Sequence, residues 1–185
     1  MIVETIFSTV DETGRPNFAP MGILWDEKFA TVRPFRNSRT FRNLMSTGYG
    51  VVNISDNVLA YVQCALYDSV LPHFPSRIVP GVVFDGCCSW REIEVISRGG
   101  SEERPALQCR VLYDGWQRDF LGFCRASNAV IEATILATRL HLHDRKGLMG
   151  ELSRYRTIVE KAGDAAEKQA LQMVEDYIEK RRSDD

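Results

Sequence analysis

A chain of 185 residues with 44% hydrophobic and 26% charged side chains has the make-up of a globular protein able to bury its own core, and is too short for two large domains. Its net charge of −2 and pI near 6.0 give no general attraction for nucleic acid or an anionic membrane, so any anion site must be local. Apolar windows such as AVIEATILATRLHL are broken by Glu132 and Arg139 and fall short of the roughly 20 residues a bilayer requires, and the N-terminus lacks a secretory pattern, so cytoplasmic residence is expected.

The first 36 residues predict a three-stranded meander: IVETIFSTV, the turn DETGRPN, FAPMGILW, the charged turn DEK, and FATVRPF. The loop NSRT leads into a short helix, TFRNLMST, which Gly48 is placed to end, and YGVVNIS is a fourth strand. NVLAYVQCALYD suits about three helical turns. The proline-bearing SVLPHFPSRIVPG that follows reads as mostly loop. GCCSWREIEVIS and PALQCRVLYDGW form a long hairpin about RGGSEER, and in its second arm Leu107, Cys109, Val111 and Tyr113 alternate with Gln108, Arg110 and Leu112.

After about residue 124 the period changes to 3.6. SNAVIEATILATRLHL sets Val130, Ile131, Ile135 and Leu136 on one face, with Gly147 as a stop; the next helix carries Leu148, Leu152, Tyr155 and Val159. Asp164 with Glu167 resembles a capping box for a last helix that ends in EKRR. Six or seven strands followed by about three helices give an α+β class, a barrel or sandwich with a helical C-terminal region. The five cysteines are odd in number, lack C-x-x-C spacing and sit mostly among apolar neighbours, which reads as buried, reduced thiols.

The most unusual segment is RPFRNSRTFRNLMSTGYGVVNIS. No acidic residue lies between Glu27 and Asp56, whereas Lys28, Arg33, Arg36, Arg39 and Arg42 give the stretch a charge of +5. These cations fall at a strand-to-helix junction, where first-turn N–H groups and the positive end of the dipole suit a phosphate, with Asn37, Ser38 and Thr40 as further donors. A solvated basic face is the plain alternative. A module that binds anions or nucleic acid through Arg33–Arg42, with Phe35 and Phe41 interleaved, is another, although one basic stretch on an acidic chain would give shallow, salt-sensitive affinity.

NSRTFRNLMSTGYGVVNIS resembles the segment of flavin reductases and related FMN-binding split-barrel proteins in which a Ser/Lys/Asp-Thr loop holds the flavin phosphate and a strand ends in Val-Asn. IFSTVDETGRPNFAPMG is similar to the first hairpin of the pyridoxamine-phosphate-oxidase-like branch, and PALQCRV to the flavin reductase strand written A-x-x-Glu-Cys. GFCRASNAVIEATILATRLHL resembles the second half of a smaller prokaryotic family of FMN-binding split barrels, which extends the likeness over nearly the whole chain.

The resemblance implies an antiparallel split β-barrel over residues 1–125, a helical extension over 126–185, and FMN as cofactor. It implies that Asn37, Ser38, Arg39 and Thr40 hold the phosphate with Arg33 or Arg36 as an added cation. Pro20, Met21, Gly22, Ile23, Thr31 and Val32 would give the strand edges for the isoalloxazine, with Asn53 closing the site. It further implies a homodimer with flavin at the subunit interface, where Trp90, Tyr113 or Trp116 caps the ring from a partner. Flavin-dependent oxidoreduction is the expected chemistry, with a hint of pterin-linked one-carbon metabolism, and no residue is assigned as catalytic. A fold relative that has lost its flavin and serves as a structural dimer is the remaining reading. Arg39 and Gln108 depart from the commoner lysine and glutamate.

Other constellations read as structural. His141 and His143 point to faces about 200 degrees apart on a helix, which gives no metal site. Glu92 and Glu94 share one side of a strand and are expected on an exposed polar face, and Arg125, Glu132 and Arg139 are expected as a salt-bridged helical stripe.

Overall fold

The computed structural model describes residues 1–26 and 28–183, so Glu27, in the expected charged turn, lies outside the described residues. The chain divides into two compact units, Met1–Ser55 with Ser69–Phe120, and Asp56–Asp68 with the chain from Leu121 onward.

The first unit is a closed six-stranded antiparallel barrel. β1 (Ile2–Val10), β2 (Pro16–Trp25), β3 (Phe29–Val32) and β4 (Tyr49–Ile54) precede a two-stranded sheet of β5 (His73–Pro75) and β6 (Val82–Phe84). The hairpin of β7 (Ser89–Gly100) and β8 (Pro105–Trp116) completes the wall, in the order β1-β2-β3-β8-β7-β4. Alternate side chains of these strands point inward, and Phe7, Ile23, Val32, Val52, Ile93, Leu107 and Cys109 fill the interior. Helix α1 (Arg39–Thr47) contributes Phe41 and Leu44 to the same core. Gly48, at φ +80, ends α1 in the left-handed conformation, its N–H bonded to the Leu44 carbonyl, as the sequence predicts.

The meander, the long hairpin and α1 stand where the sequence puts them. β3 stops at Val32, because Pro34 lacks an N–H for the sheet ladder. β5 and β6 arise inside the stretch read mostly as loop, and they change the environment of the barrel wall. From Thr5 to Val10 every β1 residue is buried, since β6 covers the outer face where Ser8 Oγ donates to the Val82 carbonyl at 2.6 Å. On the neighbouring ladder, Trp90 faces Gly115, where a β-carbon would overlap the indole ring, so the hairpin needs a glycine there.

The second unit comprises α2 (Val58–Leu66), α3 (Arg125–Ala137), α4 (Arg145–Ala162) and α5 (Ala165–Ser183) around Val58, Val62, Val130, Leu148, Leu152, Val159, Leu171 and Val174. α2 therefore clusters with the helices and not with the barrel, which departs from a single boundary at residue 125: its apolar face is completed by α3 and α5. α3 ends ten residues before Gly147; a 3-10 turn at Leu140–Leu142 follows, and Gly147 instead donates to Asp144 Oδ1 in the first turn of α4. Arg139 consequently lies beyond α3, and the expected stripe with Arg125 and Glu132 does not run along one helix. His141 falls in the 3-10 turn and His143 just after it. At α5, Glu167 accepts from the Asp164 N–H at 3.0 Å, the reciprocal half of a capping box.

Candidate functional site

The basic segment folds as the turn and first helical turn of α1. Ser38 is the N-cap: its Oγ accepts from the Phe41 N–H at 3.1 Å and donates to the Phe35 carbonyl at 2.6 Å. The amides of Arg39 and Thr40 precede the first intrahelical bond, donated by Arg42 to the Ser38 carbonyl, and the first turn contains no acid to oppose the dipole. Arg39 is exposed on this turn. Thr40 points the other way. At 2% exposure its hydroxyl accepts from Asn17 Nδ2 at 3.2 Å, in a buried network where Asn17 and Asn43 both donate to Thr9 Oγ1. This network fixes α1 to β1 and β2, and it withdraws the Thr40 side chain from the expected set of phosphate donors. The local signal is helical spacing: Thr40, Phe41, Asn43 and Leu44 share the buried face of α1.

The remaining arginines spread around this turn. Arg42 Nη1 donates to the Asn37 carbonyl at 2.9 Å, which ties the helix back over the loop, and Arg33 is exposed. Arg36 lies 3.6 Å from Glu102, at the tip of the β7–β8 hairpin. That hairpin brings two cations absent from the sequence reading: Arg104 stacks on Phe35 at 4.7 Å from the ring centroid, and Arg98 on Phe41 at 5.3 Å. They are some 60 positions away in the chain, and strand pairing alone reveals their proximity.

The barrel is closed between β2 and β3 by a short ladder only. β1 pairs with β2 from Pro16 to Leu24, but β3 pairs with β2 only at Leu24 and Trp25, then passes to β8 through Val32. The backbone of Pro20, Met21, Gly22 and Ile23 thus has a strand partner on one side among the described residues, while Thr31 pairs with Leu24 and Val32 pairs only with β8. The side chains of Ile23 and Val32 are fully buried in the barrel, so these positions offer a ligand backbone groups.

Most of the other residues singled out in the sequence have structural partners. Asn53 is fully buried: its Nδ2 donates to the Ile6 carbonyl at 2.9 Å and Ser8 Oγ at 3.0 Å, and its Oδ1 accepts from the Phe84 N–H at 2.9 Å. It joins β1, β4 and β6, which removes it from the ligand set. Trp90 packs edge-on against Phe74 within the first unit, whereas Trp116 is exposed and Tyr113 bonds Arg77. Gln108 accepts from Ser97 on the surface.

Glu92 is no surface residue. It is fully buried, and its Oε1 accepts from the Arg77 N–H at 2.6 Å and Trp90 Nε1 at 3.2 Å, while Oε2 accepts from the Ile78 and Val79 N–H groups at 2.6 and 3.0 Å. Three successive amides form a nest for its charge. Glu94, two residues on, lies past the covering loop and pairs with Arg110 at 2.7 Å.

Burial pushes the thiols of Cys64 and Cys109 up to about 12 and that of Cys87 up to about 11, so they are protonated near neutrality.

Comparison with known proteins places these features in a lineage. The FMN-bound protein MM1853 of Methanosarcina mazei is 25% identical, with a TM-score of 0.82 over 95% of this chain and 94% of that one. An uncharacterized protein of Methanocaldococcus jannaschii is 22% identical over 94% of this chain and 96% of its own. A putative flavin reductase with split barrel domain from Shewanella frigidimarina shares the fold alone, at 10% identity and a TM-score of 0.56 over 64% of this chain and 69% of that one. The family model described as protein of unknown function (DUF447), N-terminal domain, matches residues 3–118, and its companion, protein of unknown function (DUF447), matches residues 124–176. Both parts of the family's pattern are present in order, and the chain belongs to the DUF447 family.

Proposed function

We propose that this protein binds FMN, with the phosphate at the α1 N-terminus and the isoalloxazine along the open edge of β2 and β3, and that it acts as a flavin-dependent oxidoreductase. The observation that carries the reading is the FMN-bound relative from Methanosarcina mazei, alike over nearly the full length of both chains. The donor set suits the group: first-turn amides and Arg39 meet a dianion without an acid in the turn, and the backbone from Pro20 to Ile23 offers an edge to a flat polar ring. The bound flavin supplies hydride or electron transfer.

The chain's own residues then have separable roles. Arg39 and the Arg39 and Thr40 amides hold the phosphate. Ser38 and the buried Thr40 hydroxyl set the turn that presents those amides, with Asn37 in the loop before them. Arg33 and Arg36 raise the local positive potential. A homodimer with flavin at the subunit interface, and residence in the cytoplasm, belong to the same proposal; five cysteines with no disulfide among them suit a reducing compartment.

The test compares FMN with riboflavin on an Arg39→Ala variant. Losing one charge-assisted phosphate contact weakens FMN about tenfold and leaves riboflavin within about twofold. Equal losses for both ligands would move the phosphate away from α1.

A further inference from the structure

The tip of the β7–β8 hairpin holds a carboxylate where an external anion would sit. Glu102, with a side chain 92% exposed, reaches Arg36 at 3.6 Å, a wet ion pair of little intrinsic strength. Beside it Arg104 lies on Phe35, and Arg98 lies on Phe41. An aromatic face under a guanidinium fixes its plane and leaves its N–H edges for an acceptor, so less freedom is lost when an anion binds. Phe35 is 59% exposed, so the guanidinium stacked on it stands at the surface, open to a ligand from solvent.

Arg36, Arg98 and Arg104 thus line the 35–41 segment from two distant stretches of chain, with Glu102 paired to Arg36 and Glu103 the other acid of the turn. Gathered like charges repel, and only the stacks on Phe35 and Phe41 and the wet pair with Glu102 offset that cost. A single flavin phosphate, met by Arg39 and the α1 amides, leaves them without a ligand; the inference rests on the FMN reading to that extent. The geometry points to a second anion site beside the flavin phosphate, formed by Arg36, Arg104 and Arg98, for a reaction partner carrying at least two phosphate or carboxylate groups. Glu102 is its internal placeholder and leaves Arg36 when that partner arrives.

The experiment titrates pyrophosphate, and in a parallel arm citrate, into the full chain with and without saturating FMN, by calorimetry at low salt. One pyrophosphate is expected to bind per chain without displacing FMN. Arg98→Ala with Arg104→Ala weakens it about tenfold or more, while Glu102→Gln strengthens it several-fold and FMN affinity stays within about twofold in both variants. Citrate with the same dependence assigns a polycarboxylate partner in place of a polyphosphate. Absence of binding in both arms, binding indifferent to the double variant, or competition between pyrophosphate and FMN would each overturn the second site. If the wild-type chain fails to take up FMN, the proposed function falls by itself, and the variant dependence of the FMN-free titration still decides this inference.

Discussion

Replacing Glu92 tests the structural reasoning at its sharpest point. The carboxylate is fully buried and takes four donors, three of them the consecutive amides of Arg77, Ile78 and Val79. In Glu92→Ala those donors lose a charged acceptor, at about 1–3 kcal/mol for each one left dry, and water entering the vacated space recovers part. A net loss of about 3–5 kcal/mol is expected, a large share of a typical domain's stability. Glu92→Gln keeps one carbonyl oxygen but turns an amide donor toward backbone donors, so it should lose about 2–3 kcal/mol. Urea unfolding followed by tryptophan fluorescence reads both losses, and hydrogen exchange at residues 77–79 should accelerate beyond the rest of the barrel. A Glu92→Ala midpoint equivalent to less than about 0.5 kcal/mol, with unchanged exchange at those amides, would refute the view that this residue holds the loop.

Ser38→Ala removes the cap on the Phe41 N–H and should lower stability by about 1 kcal/mol in thermal melts. Thr40→Val keeps the shape but leaves Asn17 Nδ2 without its α1 acceptor; a cost of about 1–2 kcal/mol is expected, and a neutral result would contradict the buried network. Cys64, Cys87 and Cys109 stay protonated in the fold up to about pH 11–12, whereas unfolded thiols ionise near pH 9. The unfolded state therefore binds fewer protons between these values, and stability, intact below pH 9, should fall as pH rises through that window. Cys109→Ala should flatten that fall, measured against its own stability at pH 8; an unchanged slope would contradict the burial assignment.

Local pattern carried the barrel far because half-buried strands and their turns are written in consecutive residues. The alternation of β8 as far as Val111, where a register shift moves Tyr113 opposite Glu92, and the glycine ending α1 are examples. It missed β6, three residues after a Pro-Gly turn, and with it the burial of both faces of β1 and the fate of Asn53. Glu92 and Glu94 do share one strand face, as spacing dictates, yet the 77–79 loop covers the first and not the second. That difference is tertiary and leaves no mark in the spacing. At the site, sequence brought Ser38, Arg39 and Thr40 to one turn, but a hydroxyl's direction depends on the helix face, and only Arg39 turned outward. Arg98 and Arg104 reach the turn through the β7–β8 ladder, a relation between residues too distant for motif reading.

The most direct test is equilibrium binding of FMN and riboflavin to the purified 185-residue chain, read by flavin fluorescence quenching and retention on gel filtration. One FMN per chain, retained through the column, is expected, with riboflavin bound about tenfold or more weakly because it lacks the phosphate. A colourless protein that neither quenches nor retains FMN, or one that holds both flavins equally, would contradict it.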